Sequence, residues 1–526
     1  MSNRSAIHSF HSCHSWFPSP ASNRRGLVLI LVLIVIAMLS LGAYSFTDLM
    51  LAQHEAQMLT GRQMQTRVLV DSGVEAVRMF LAQPEAQRTE NGGIYENDER
   101  FRGVTIIADE DPNNRGCFCV ITTAIDSSGN QAGTRHGLED ESTRLNLNTL
   151  TTLDKALAGT GRQLLMALPD MTEDVADAIL DWLDEDDEPR EFGSEIEHYS
   201  GLQPPYGTKN GPLDTVEELL LVNGVTPELL FGADSNRNGT LDSHETLDTT
   251  STASTDPAAF RGWSSYLTLY SLEWNVSPDR LPRTFLNGND LNAVREGLEA
   301  VFPAEWVSFI IAYRQMGPFS SGVAGGTGQS SASGELNMDL QPQYPINQVL
   351  DLIDAQVQYT FQGATAPVVL ASPFTSAGMG LYLPQLQDYV TVNSAATIPG
   401  RINVNQASST ILMGIPGMTQ EIVDKIISQR SPDVSGEGSA HRYETWLLSE
   451  NLVTLAEMRQ ILPFVTGGGN VYRAQVVGYF QGGQASSRAE VVFDATTPLP
   501  RLLLWRDISH LGRGYALETL GVDFSQ

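Results

Sequence analysis

The chain has 526 residues and a formal net charge of -30 at neutral pH. That length calls for several domains and allows sizeable cores, while the acidic balance speaks against a nucleic-acid partner, whose phosphates draw affinity from clustered Lys and Arg. No HExxH, Walker A, GxSxG or CxxC pattern occurs, so the reading is of a protein that is not an enzyme and takes no small-molecule substrate.

Residues 1–25 carry only Arg4, Arg24 and Arg25 as formal charges; Cys13 lies near His8, His11 and His14, a group read as part of a removable leader rather than a metal site. Leu27 to Phe46 (LVLILVLIVIAMLSLGAYSF) has no formal charge, and about twenty such residues cross a hydrocarbon core of roughly 30 Å. The basic residues before it predict a single pass through the inner membrane, with the amino terminus cytoplasmic and the bulk of the chain periplasmic. The junction RRG–LVLIL resembles a prepilin peptidase site, with cleavage after Gly26 leaving Leu27 as the new amino terminus. Apolar positions continue at Ala52, Ala56 and Leu59, then at Val70, Val74, Val77 and Leu81, until Pro84. One helix from Leu27 to about Gln83 would be roughly 80 Å long. Such a build resembles a type IV pilin or pseudopilin.

Phe101–Asp109 and Cys117–Asp126 read as strands of a hairpin joined by DPNNRG. Cys117 and Cys119 share a face of the second and are read as core thiols. At the far end, Val471–Gln481, Arg488–Asp494 and Arg501–Asp507 read as three more strands. The two ends are expected to form one αβ domain with everything between them inserted.

The interior contains a repeat. RLNLN (144–148) recurs as RINVN (401–405), and Leu164–Leu180 aligns without a gap on Ile411–Ile427. Val175, Ala176, Ile179 and Leu180 match Ile422, Val423, Ile426 and Ile427, so both second helices should bury the same face, with Thr172 and Thr419 as N-caps. Gly417 suits the hairpin turn; Asp170 fills the same place less easily. This is a SAM-like, or helix-hairpin-helix, signature. A DNA-binding role would offer backbone N–H groups to phosphate, but Asp170, Glu173, Asp174 and Glu421 compete for those donors, so the modules are read as packing and partner-binding elements.

DSNRNGTLDSHE (234–245) fits the EF-hand loop pattern. Side-chain oxygens come from Asp234, Asn236 and Asn238, the turn from Gly239, a backbone carbonyl from Thr240, a direct or water-mediated ligand from Asp242, and a bidentate carboxylate from Glu245. The poor helix former that follows points to a structural calcium clip. The acidic run Asp181, Asp184, Glu185, Asp186, Asp187 with Glu195 and Glu197 reads as a solvated face or a second calcium site. Between 251 and 400, Ala259–Asn275 reads as partly buried, Leu291–Phe302, Ala304–Arg314 and Asn347–Gln356 as helices, and Phe319–Gly334 as a flexible loop.

RRG before the apolar helix, RLNLN, the run Asp177–Tyr199, NGPLDTVEELLLVNGVTPELLFG (210–232), the second repeat and the closing strands together resemble the general secretion pathway protein K family, the large minor pseudopilins of type II secretion. The resemblance implies an α+β fold: a long transmembrane N-terminal helix with an antiparallel pseudopilin sheet, interrupted by a mainly helical domain with two SAM-like modules. The expected divisions are leader 1–26, membrane helix 27–46, first pilin-like part 47–142, first module 143–232, insertion 233–400, second module 401–466 and closing strands 467–526. It also implies a place at the pseudopilus tip, with the I and J equivalents, the pseudopilus shaft and prepilin peptidase as partners. Leu31 stands at the fifth mature position, where ordinary pilins carry a glutamate that pairs with the subunit ahead. A subunit with no neighbour above it would strand that carboxylate in lipid. The rival reading is a membrane-anchored, calcium-binding adhesin or DNA-uptake receptor.

Overall fold

The computed structural model describes residues 25–240, 242, 245, 260–319, 334–433 and 440–522. The leader up to Asn23 and Arg24, with its Cys13 and histidines, and nearly all of the Gly/Ser-rich stretch lie outside them. The chain divides into two units, residues 1–62 and 63–526.

The first unit consists of the front of helix α1 (Arg25–Ala82). From Leu27 to Gly61 every side chain is exposed. Among the described residues α1 is the one helix long and apolar enough to cross a membrane.

In the second unit the remaining turns of α1 lie on an antiparallel sheet. Its strands are β1 (Val104–Ile107), β2 (Gly116–Ile125), β3 (Gln131–His136), β4 (Glu139–Asp140), β5 (Val471–Phe480), β6 (Ser486–Asp494) and β7 (Arg501–Asp507). The order is β1-β2-β5-β6-β7, with β3 paired to β2 and β4 to β5. Strands from the two ends of the chain therefore meet at the centre, where Val120 faces Val476 and Phe118 faces Gly478. One face of the sheet presents Phe118, Val120, Val476, Val491 and Phe493 to Val70, Val74, Val77 and Leu81 of α1. Close approach needs Gly478: a Cβ there would stand 2.3 Å from the carbonyl oxygen of Thr66. Thr66 also shares a buried 2.8 Å hydrogen bond with Ser487.

The described residues between β4 and β5 form the inserted helical body, with one hydrophobic core running from Leu145 to Val465. The two halves of the repeat are α2 (Thr160–Leu165) with α3 (Glu173–Leu183), and α6 (Ser409–Gly414) with α7 (Gln420–Gln429). Between them in the chain come α4 (Leu291–Glu299) and α5 (Ala304–Met316). The halves pack on each other where Gly414 meets Ala167 and Leu164; a Cβ at Gly414 would lie 2.8 Å from that of Ala167. Asp170 and Gly417 both adopt left-handed backbone, with φ of 55° and 86°. The second Asn of each Asn-x-Asn acts as a clamp: Asn148 is bonded both ways to the backbone of Leu213, and Asn405 donates to the carbonyls of His441 and Gly467.

Some sequence expectations shift. The Thr419 hydroxyl accepts from Ile422 N–H, but Thr172, in the equivalent place, makes no such bond. Phe101 closes a helical turn, Asp98–Phe101, capped by the Asn97 side chain, so the strand starts only at Val104. The helix expected over Asn347–Gln356 is a 3-10 turn, Val349–Leu352, followed by a strand, Gln356–Tyr359. Asp354 breaks it with φ of 53°.

Because Gly478 is where helix and sheet touch most closely, Gly478→Val should destabilise the sheet-bound end of α1 by about 1–3 kcal/mol. A lowered thermal midpoint and faster proteolysis near Thr66 would check it; an unchanged melt would show that the contact can relax.

Candidate functional site

The sheet face turned away from α1 is divided. At one end Cys117, Cys119, Ile121, Val477 and Tyr479 are covered by Tyr515, Leu520 and Val522 of the closing segment. Burial pushes the Cys119 thiol up to about 11, so it stays protonated and unreactive. At the other end the face is charged although it is largely covered, with its charged residues half-buried. Gln475, Glu490 and Arg506 stand side by side on β5, β6 and β7, and Arg473 lies diagonally from Glu490.

Arg473 is the hub. Its Nη1 is 2.6 Å from Glu490 and its Nε bonds Glu141. Arg506 bonds Glu217 of the inserted body, with Nη2 3.0 Å from Oε2, and reaches Glu490 at 3.7 Å. Arg237 adds a second contact to Glu217 at 3.5 Å, and Arg144 holds Glu139 at 2.9 Å. Burial alone would raise the Glu490 carboxyl; Arg473 and Arg506 outweigh it and draw it down to about 2. A polar cavity of about 110 Å³ lies in this seam, lined among others by Arg144, Glu217, Arg473 and Glu490.

The EF-hand-like loop borders the same seam. Asp234 and Glu245 are buried at 7% and 4% exposure. Asp234 accepts from the N–H groups of Asn238 and Gly239, and burial raises its carboxyl. Glu245 folds back over the loop: one oxygen accepts from the backbone of Ser235 and Asn236 and from the Ser235 hydroxyl, the other from Asp242 N–H. The side-chain amides of Asn236 and Asn238 both donate to Asp242, at 2.6 and 3.0 Å. Thr240 bonds Asn238 Oδ1 through its N–H and its hydroxyl. Gly239 makes the turn at φ of 73°. The six positions named from the sequence thus share one hydrogen-bonded knot. Among the described residues no group of three or more His, Cys, Asp or Glu side chains is gathered as a metal site; Asn amides stand between the carboxylates. The donor set itself, three carboxylates, two amides and a backbone carbonyl, is the hard-oxygen chemistry that calcium takes.

In the acidic run, Arg190 bonds Asp181 at 2.8 Å and also Asp184, and Arg162 bonds the buried Asp177 at 2.7 Å. Glu195 is different. Both of its oxygens are buried with only the Thr208 side chain near enough to help, and burial, aided by Asp181, Asp184 and Asp187, raises it to about 7. At the start of α1, Gly26 and Leu27 lie in its first turn, with Leu27 72% exposed.

With this geometry in place, residues 143–231 match the family described as type II secretion system (T2SS), protein K. Among solved structures the chain is similar to the GspK-GspI-GspJ complex of the enterotoxigenic Escherichia coli type 2 secretion system, at 11% identity and a TM-score of 0.37, covering 87% of this chain and 98% of that chain. No curated protein matches. The matched segment contributes Arg144 and Glu217 to the seam and contains the Glu195 cluster, just ahead of the acidic loop.

The seam charges escaped sequence reading. Arg473, Glu490 and Arg506 alternate with apolar residues on their strands, as solvent-facing residues do; only their opposite signs on adjacent strands hint at pairing.

Arg473→Met should cost about 3–5 kcal/mol in chemical denaturation, because it leaves Glu141 and Glu490 buried without their partner. Glu490, held below its unfolded value, contributes stability that is fully present above about pH 4.5 and lost as pH falls towards 2. Glu490→Gln should remove that part of the acid limb. Glu195 has the opposite sign: its contribution is present below about pH 4.5 and lost as pH rises through about 7. In chelator, Glu195→Gln should therefore be more stable than the parent at pH 8 and little different at pH 4; equal melts at pH 8 would show that the carboxylate is already compensated.

Proposed function

We propose that this chain is a minor pseudopilin at the tip of a type II secretion pseudopilus, a structural component of pseudopilus assembly and of protein export across the outer membrane. The observation that carries the reading is the protein K match over residues 143–231. The exposed apolar start of α1 is compatible with a single-pass anchor. On this reading prepilin peptidase cuts between Gly26 and Leu27, the amino terminus is cytoplasmic before cleavage, and the folded bulk is periplasmic. Leu31 fits a subunit with nothing ahead of it, since a carboxylate there would be unpaired in lipid.

The partners are other minor pseudopilins, of the kind named in the complex of GspK with GspI and GspJ, and the shaft below. The paired helical halves act as SAM-like packing modules rather than DNA-binding ones: carboxylates occupy the second-helix N-termini where phosphate would bind. Calcium is the proposed cofactor, held by Asp234, Asn236, Asn238, Thr240, Asp242 and Glu245. Bound there, it would neutralise three buried carboxylates and fix the loop.

Mass spectrometry of the membrane-extracted protein should find an amino terminus at Leu27, and the protein should co-purify with neighbouring minor pseudopilins. An intact Met1 with no such partners would sink the pseudopilin reading. In calorimetric titration of the full chain in detergent, Glu245→Gln should lose a calcium site that the parent shows; unchanged binding would remove the ligand set.

A further inference from the structure

The hydrogen bonds of the acidic loop sort into two directions. Its carboxylates and Asn oxygens accept from the loop's own N–H groups. Three of its backbone carbonyls are taken by groups outside it. Asn236 O accepts from Arg488 of β6, Arg237 O from Gln475 of β5 at 2.7 Å, and Gly239 O from Arg261. Both guanidiniums are thus engaged with carbonyls of the loop rather than with its carboxylates.

Arg488 is 1% exposed, and its Nε and Nη1 have no hydrogen-bond partner. It is wedged between this loop and the closing segment. A Cβ at Gly514 would overlap Nη1, and Gly514 takes φ of 77° to pass. The closing segment also holds the loop directly: Asn238 Nδ2 donates to Gly514 O at 2.7 Å, and the Tyr515 hydroxyl donates to Gln475 Oε1 at 2.8 Å. Beyond Tyr515, Leu520 and Val522 cover Cys117, Cys119 and Tyr479. One short loop of the inserted body is therefore tied to two central strands and to the segment that ends the described chain.

We infer that the loop Asp234–Glu245 is the bolt between the inserted body and the closing strands, with Arg488, Gln475 and Arg261 as its positioning residues, so that a divalent cation bound by the loop orders the segment 512–522. The inference rests on the calcium reading proposed above. Its physical basis is that residues 236–239 serve both sides. Drawing carboxylates around a cation stiffens the same backbone whose carbonyls Arg488 and Gln475 grip. Asn238 is the hinge of the coupling: its Nδ2 donates both to Asp242 within the loop and to Gly514 O in the closing segment. Partners that orient ligands in this way change metal affinity about 10- to 100-fold.

Hydrogen exchange on the full-length protein in detergent, in calcium and in chelator, tests the inference. Calcium should slow exchange across residues 512–522 in the parent. Gln475→Leu, which removes the donor to Arg237 O with little change of volume, should weaken calcium binding about 10-fold or more and abolish that slowing. Val491→Ala, on the α1 face, should loosen the sheet yet keep the calcium-dependent slowing, which separates coupling from general instability. If calcium binds the parent but exchange across 512–522 is the same with and without it, the coupling is wrong and the calcium site stands. If calcium does not bind at all, both fail.

Discussion

A guanidinium in the middle of a covered strand needs partners for its charge, and Arg473 has two carboxylates, Glu141 and Glu490. The rest of the second unit is arranged about that need. Glu141 comes from the turn that leads into the inserted body, Glu490 from the next strand, and the chain of charges continues through Arg506 to Glu217 in the inserted body. The sheet thus has an apolar face for the helix and a charged face for the insertion. An apolar seam would slide more readily; opposed charges at fixed positions on three strands admit one register.

The same division explains why the acidic loop lies where it does. It sits at the boundary between the charged end of the face and the end closed by Tyr515 and Leu520, and it carries charge inwards and carbonyls outwards. Burying so many carboxylates beside one another is costly unless arginines or a cation accompany them. Arg261 and Arg488 are both buried there.

The long helix and the closing strands were legible in the sequence because each has one dominant period: unbroken apolar residues in Leu27–Phe46, alternation in Val471–Phe480. The repeat was legible because Asn-x-Asn recurs ahead of two helix pairs that align with each other without a gap, and the left-handed Asp170 and Gly417 sit at matching turns. The acidic loop was legible as a donor pattern, but not the amide contacts to Asp242 that close it. Arg473, Glu490 and Arg506 were illegible because alternation distinguishes two faces without saying what covers each. Nor could local pattern find the turn at Asp354, where a residue other than glycine takes a left-handed conformation.

The pairing of Val120 with Val476 also bears on the order of events during synthesis. A strand laid down early must wait for a partner that emerges near the end, and long-range pairing of this kind is intrinsically slow. Until then Phe118 and Val120 have α1 on one side and an open backbone edge on the other, the kind of edge that recruits unwanted neighbours. The helical body, whose contacts are mostly its own, can collapse in the interval and bring the two ends together; any holdase acting on this chain would be needed at β2, and for as long as the closing strands are still to come.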